Sequence, residues 1–322
     1  MIHNTLRKIC LLFIVFTKVS FGFYIPVHPI TSPNEFSVRR KSVISRREPL
    51  TFQRQMMIGD FARLDIVKSL FQSNGRVPFL QSFGINAILF TVLSQKLFTM
   101  LTPTGLIHAF VLATSLWTTI GWKGWTLCVL YLFLGQVVTK VKFADKENKG
   151  IAEKRGGRRG PGGVWGSALT GLICAIASIQ EPNFLGISSN LYKLGFVASM
   201  STKLADTFAS EIGKAYGKTT FLITTFERVK PGTEGAISVE GSVASVFGGL
   251  ILSMYGYSIG LVNSKGALIS TASAFFATNV ESLIGATLQD KEGLKFLTNE
   301  VVNFINTAIG ATVAIMIGNI IL

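Results

Sequence analysis

Residues that commonly build active sites are scarce in this chain. Its 322 residues include only three cysteines and three histidines. Cys10, Cys128 and Cys174 each lie in an apolar run without metal-ligand spacing, so they read as small hydrophobes and a zinc or iron–sulfur framework is excluded. His3, His28 and His108 are scattered, which leaves no base paired with a serine or cysteine nucleophile. Charge is scarce too. Charged residues make up 15% of the chain, against about 25% in soluble domains. The loop GxxxxGK[ST] of P-loop nucleotide enzymes is absent, as is the DG…AR…D pattern of CDP-alcohol transferases. No repeat of 20–50 residues is evident, which argues against a transporter built from inverted halves.

What the chain has instead is apolar sequence. Hydrophobic residues make up 48%, gathered in runs with few or no charges. This predicts an all-α, polytopic membrane bundle with about eight or nine spans. The formal charge of +14 is uneven. Residues 1–80 hold twelve Lys or Arg against four Asp or Glu, so most of the excess precedes the membrane part, and no nucleic-acid partner is needed to explain it.

Three segments follow. Residues 1–22 carry Arg7-Lys8, the apolar run Ile9–Phe16 and small residues at Ser20 and Gly22, a signal-peptide pattern too short to span comfortably. Residues 23–80 open on an acid-poor Ser/Thr/Arg stretch of transit-peptide composition. The pair resembles the two-part presequence of proteins sent to plastids bounded by more than two membranes, which predicts a multi-pass plastid membrane protein. Residues 81–322 form the membrane-embedded part. Its apolar runs are Phe83–Leu101, Gly105–Ile120, Trp125–Val138, Val164–Ile179, Leu194–Tyr216, Ile237–Tyr255, Ala267–Leu288 and Val301–Leu322.

Charged groups inside these runs are the candidates for function, because a charge at bilayer depth costs several kcal/mol unless paired or wet. On the fifth run, Ser199, Lys203, Asp206, Thr207 and Ser210 fall within about 100° of one another, with Glu211 and Lys214 at the margins. Ala205, Phe208 and Ile212 take the other side. Lys203 and Asp206 also fit a plain buried salt bridge. Glu240 opens the next helix and Glu281 follows, giving four carboxylates suited to Mg²⁺, which takes one or two protein carboxylates plus phosphate oxygens. Asp206, Glu211 and Glu240 are the candidate metal ligands.

Two polar connections surround this helix. Lys140–Gly163 holds eight basic residues and ends in a glycine-rich stretch. It reads as a topology signal and equally as an anion cradle in which Arg158 and Arg159 fork onto phosphate oxygens. Beyond the helix, Lys218, Thr219, Thr220, Lys230, Thr233 and Glu234 supply charges and hydroxyls for a polyphosphate, and Ser238 caps or binds at the following helix entry. Asn279, Asn299, Glu300, Asn303 and Asn306 put further polar groups in the last two spans.

Ser201–Gly213 (STKLADTFASEIG), Lys230–Gly241 (KPGTEGAISVEG) and Glu281–Thr287 (ESLIGAT) resemble motifs of the chloroplast phytyl-phosphate kinases, a polytopic membrane family. Gly157–Trp165 and Leu297–Asn303 are similar to the same family, and the likeness covers roughly residues 80–322. The resemblance implies transfer of a terminal phosphoryl group from a nucleoside triphosphate, CTP or another, to phytyl phosphate. The product, phytyl diphosphate, would feed tocopherol synthesis. Transport of a small anion or a prenyl-phosphate lipid is the alternative that the intramembrane charges leave open.

Overall fold

Proline and capping residues open the helices. Thr102 accepts from Gly105 N at 3.1 Å with Pro103 at the first helical position, and Ser238 and Asn263 cap in the same way, at 3.1 and 2.8 Å. The computed structural model describes residues 75–180, 184–289, 294 and 296–322, all within the compact unit Ser73–Leu322. Residues 1–22 and most of 23–80, with the presequence reading made on them, lie outside the described residues.

The helices in chain order are α1 (Phe79–Val92), α2 (Ser94–Leu97), α3 (Pro103–Thr119), α4 (Gly121–Thr139), α5 (Phe143–Asn148) and α6 (Pro161–Ala177). Then come α7 (Ser189–Tyr216), α8 (Val239–Ser258), α9 (Ser264–Thr287) and α10 (Asn299–Ile321). Short 3₁₀ turns occupy Lys154–Gly157 and Phe184–Gly186. Between α7 and α8, β1 (Phe221–Leu222) and β2 (Ala236–Ile237) pair antiparallel, Phe221 facing Ile237.

The expected run Phe83–Leu101 is two helices rather than one. The chain breaks at Leu93, and Leu101 instead forms a parallel bridge with Arg159. Among the described helices, α8, α9 and α10 are long and apolar enough to cross a membrane. Their outer faces carry exposed side chains such as Phe247, Leu268, Phe276 and Met316, the surface that a helix presents to lipid.

Helix α7 is the axis of the unit. Leu194 to Thr207 is an unbroken stretch of buried residues, so the helix is enclosed on every side and not only along one apolar stripe. It packs against α4, α6, α8, α9 and α10. Close approach depends on small residues. A Cβ at Gly310 of α10 would stand 2.0 Å from Thr202 Oγ1 of α7. Lys203 sits half-way along α7, which puts the charged turns at the centre of the bundle.

Candidate functional site

A cavity of about 850 Å³ opens around the second half of α7. Its walls come from the loop 150–160, the starts of α6, α8 and α10, the β1–β2 connection, and the middle of α9. Most of the residues singled out from sequence meet here. Lys203, Asp206 and Glu211 line it from α7, Arg158 and Arg159 from the loop, and Asn279 and Glu281 from α9. Asn299, Glu300 and Asn303 come from α10, with Thr220, Thr233, Glu234 and Ser238 from the connection. Glu240, Lys218, Thr219 and Lys230 stand outside this lining. Glu240 Oε1 instead accepts from the backbone N–H of Lys218 at 3.4 Å, and Lys230 offers its carbonyl to Thr233 Oγ1 at 2.8 Å, a local turn contact.

Two buried ion pairs organise the charges of α7. Lys203 Nζ donates to Asp206 Oδ2 at 2.5 Å and to Asn303 Oδ1 at 2.6 Å. One ammonium therefore ties α7 to α10. Spacing alone sufficed for the first contact, since residues three apart share a helix face. The second needed the fold. Glu211 pairs with Lys146 of α5, a residue that sequence reasoning passed over as one more base in a basic loop. Lys146 is 1% exposed and also donates to the Thr139 carbonyl at 3.0 Å. A lysine buried this deeply needs such partners.

The glycine-rich loop is built to hold its arginines. Arg155, Gly156 and Gly157 have φ of 57°, 63° and 78°. Gly157 meets two constraints at once, since a Cβ there would stand 2.8 Å from Thr139 Cγ2. Gln136 Nε2 and Lys140 Nζ donate to the carbonyls of Gly157 and Gly156 at 2.9 and 2.7 Å. Gln136 was visible as a polar residue within an apolar run. Arg159 is pinned on both sides, its N–H bonded to the Met100 carbonyl at 2.9 Å and its carbonyl to Thr102 N at 3.0 Å.

The two arginines of the predicted fork diverge. Arg158 is exposed. Arg159 is half-buried, donates to the Tyr131 hydroxyl and, at 3.2 Å, to Ser167 Oγ, and lies 4.9 Å above the Tyr131 ring. Tyr131 donates in turn to Ser167 at 2.9 Å. Neither residue carried a signal in the sequence. Among the described residues, no carboxylate lies within ion-pair distance of Arg155, Arg158 or Arg159, and all three line the cavity. An anion with several oxygens is the chemical match.

Among the described residues no three His, Cys, Asp or Glu side chains gather as a metal-binding group. A smaller set exists. The carboxylate of Glu281 lies within electrostatic range of Asp206, Lys203, Glu234 and Lys214. Two carboxylates that line one cavity fit a hard divalent cation whose remaining ligands are phosphate oxygens and water. Asp206 and Glu281 are thus the pair that could hold Mg²⁺, although Asp206 is ion-paired with Lys203 just as Glu211 is with Lys146.

Residues 86–311 match the family model described as integral membrane protein DUF92. The chain belongs to this family. The family span contains all three central motifs, so the family indicated by those residues is the one found. A membrane protein of Synechocystis is 48% identical over 78% of this chain and 95% of its own length. Protein VTE6, chloroplastic, of Arabidopsis thaliana is 45% identical over 74% of this chain and 71% of its own length. A membrane protein of Methanocaldococcus jannaschii is 30% identical over 66% of this chain and 84% of its own length. No solved structure matches.

Proposed function

We propose that this DUF92 member is a phytyl-phosphate kinase, transferring the terminal phosphoryl group of a nucleoside triphosphate to phytyl or a related prenyl monophosphate. One observation carries the reading. Within one cavity, the unpaired arginines of the loop face the Lys203–Asp206–Asn303 cluster, and the whole is enclosed by helices whose outer faces are apolar. A lipid phosphate and a polyphosphate have complementary places there. The likeness to a chloroplastic relative and the motif resemblance supply the substrate class and the vitamin E context.

A phosphate oxygen of the acceptor attacks the γ-phosphorus in line. The new P–O bond forms as the bond from γ-phosphorus to the β,γ-bridging oxygen breaks, and the nucleoside diphosphate leaves with that electron pair. The acceptor is already ionised, so no strong base is required, and positioning with charge neutralisation dominates. Arg159 and Lys203 neutralise and orient phosphate oxygens, and Asn303 holds the ammonium in place. Mg²⁺, held through Asp206 and Glu281, would supply neutralisation of β- and γ-phosphate charge.

Among the described residues, eight helices of fourteen or more residues support a count of eight spans, the shorter ones extended by flanking residues. The chloroplastic relative and the signal-like and transit-like segments support a plastid membrane. Residues 1 to about 50 fused to a fluorescent protein should reach a complex plastid. Delivery of that fusion to the cell surface would remove the plastid reading.

The catalytic test is purified protein in detergent with radiolabelled phytyl phosphate and each nucleoside triphosphate in turn. Labelled diphosphate with at least one nucleotide is expected. No diphosphate with any of them, together with anion flux in proteoliposomes, would make the protein a transporter.

A further inference from the structure

A second, narrower cavity adjoins the polar one. It is an apolar groove of about 100 Å³ among α1, α2, α3, α4 and α6, lined by leucines such as Leu97, Leu112, Leu116 and Leu132. Its polar side chains include the hydrogen-bonded cluster Tyr131, Arg159 and Ser167. Arg159, Gly163 and Ser167 line both spaces, so the groove and the polar cavity meet at Arg159. Gly135 leaves room for the guanidinium, since a Cβ there would stand 2.8 Å from its Nη2. An apolar groove ending at a guanidinium without a carboxylate partner fits an amphiphile with an anionic head and a hydrocarbon tail.

We propose that this groove seats the hydrocarbon nearest the phosphate of a prenyl monophosphate, with Arg159 gripping the phosphate at the seam. The placement rests on the lipid-phosphate reading given above and adds the subsite that reads the tail. Its size limits what it reads. At about 100 Å³ it encloses no more than about the first two isoprene units of a prenyl tail. Leu93, which lines the groove, is itself 36% exposed, and in this proposal the rest of the tail leaves into lipid past it. Selection therefore acts on the isoprene units beside the phosphate, and the chain beyond them goes unread.

The test needs no nucleotide. Protein in nanodiscs is illuminated with a four-unit prenyl monophosphate carrying a diazirine on its second unit, and separately with the matching alcohol. Label is expected on peptides holding Leu97, Leu112 or Leu132, about tenfold stronger from the monophosphate and about tenfold weaker in Arg159→Gln. Ala113→Phe, at a half-buried lining position, should block it, and Ala109→Phe serves the same purpose should the first variant express poorly. Unlabelled monophosphates of two and four units should compete within about threefold, because a pocket discriminates only the methylenes it encloses. Equal labelling by alcohol and monophosphate would mean bilayer tails fill the groove, and label confined to other helices would place the substrate elsewhere. Either result overturns the proposal, as would competition that rises steeply beyond two units. Groove labelling without any diphosphate synthesis would sink the kinase reading and keep the subsite, while synthesis without groove labelling would do the reverse.

Discussion

The ammonium of Lys146 is buried against the carboxylate of Glu211, joining α5 to α7 across 65 positions of sequence. Removing one partner leaves the other charged and dry, which typically costs about 3–5 kcal/mol. Lys146→Met should lower the thermal midpoint in detergent sharply, and Glu211→Gln added to it should recover most of the loss. Should the double variant unfold as early as the single one, the pair is not what holds α5 down.

Asp206→Asn keeps the shape of the side chain and removes its charge. With Asp206 in a metal-holding role, turnover should fall by about 10²–10³-fold while the protein still folds. Raising Mg²⁺ should then recover part of the lost turnover. Had Asp206 served only to pair with Lys203, turnover would not respond to Mg²⁺, and Lys203→Met would restore the stability that Asp206→Asn removes.

The divergence of Arg158 and Arg159 gives them different expected phenotypes. Arg159→Gln should raise the KM for the lipid phosphate by about tenfold or more, the scale of a lost charge-assisted contact. Arg158→Gln, at an exposed position, should change it by less than about threefold. Protease accessibility checks that both variants insert alike, since basic loops also set topology. Equal effects from the two would return the loop to that topological role.

Packing reaches the site through Gly166. A Cβ there would stand 2.6 Å from the Glu300 carbonyl oxygen, which is backbone and cannot swing aside. Gly166→Ala should therefore displace the start of α10, which carries Asn299, Glu300 and Asn303, and cost about 1–3 kcal/mol along with turnover. At Gly84 of α1 nothing lies within 4 Å of the same added Cβ. Gly84→Ala should be neutral or stabilising by about 0.5–1 kcal/mol. Comparing the two by thermal unfolding and by turnover separates crowding from helix propensity.

The helical axis and its charges were legible in the sequence because apolar runs ended at glycine, proline and asparagine. Lys203–Asp206 followed from helical spacing alone. Lys146 was not legible. Eight basic residues crowd its loop, and only the fold decides which one turns inward. Tyr131 was hidden for the opposite reason, as an aromatic within an apolar helix whose hydroxyl acquires meaning only when Arg159 arrives from 28 positions away. Glu240 was read as a ligand because it opens α8 beside the site, yet its carboxylate turns to the Lys218 backbone. The break at Leu93 was marked by the polar triplet Ser94-Gln95-Lys96, which the expected run Phe83–Leu101 passes over.

The position of Lys203 half-way along a helix of 28 residues has an electrical consequence. Such a helix is about 42 Å long, against about 30 Å of bilayer hydrocarbon. In a bundle lying across a bilayer, an anion that reaches Lys203 has crossed part of the transmembrane field, at about 2.3 kcal/mol per charge per 100 mV for a full crossing. A polyanionic substrate makes binding voltage-dependent. In sealed vesicles with an imposed potential, the sign of that dependence would report the side from which the nucleotide enters.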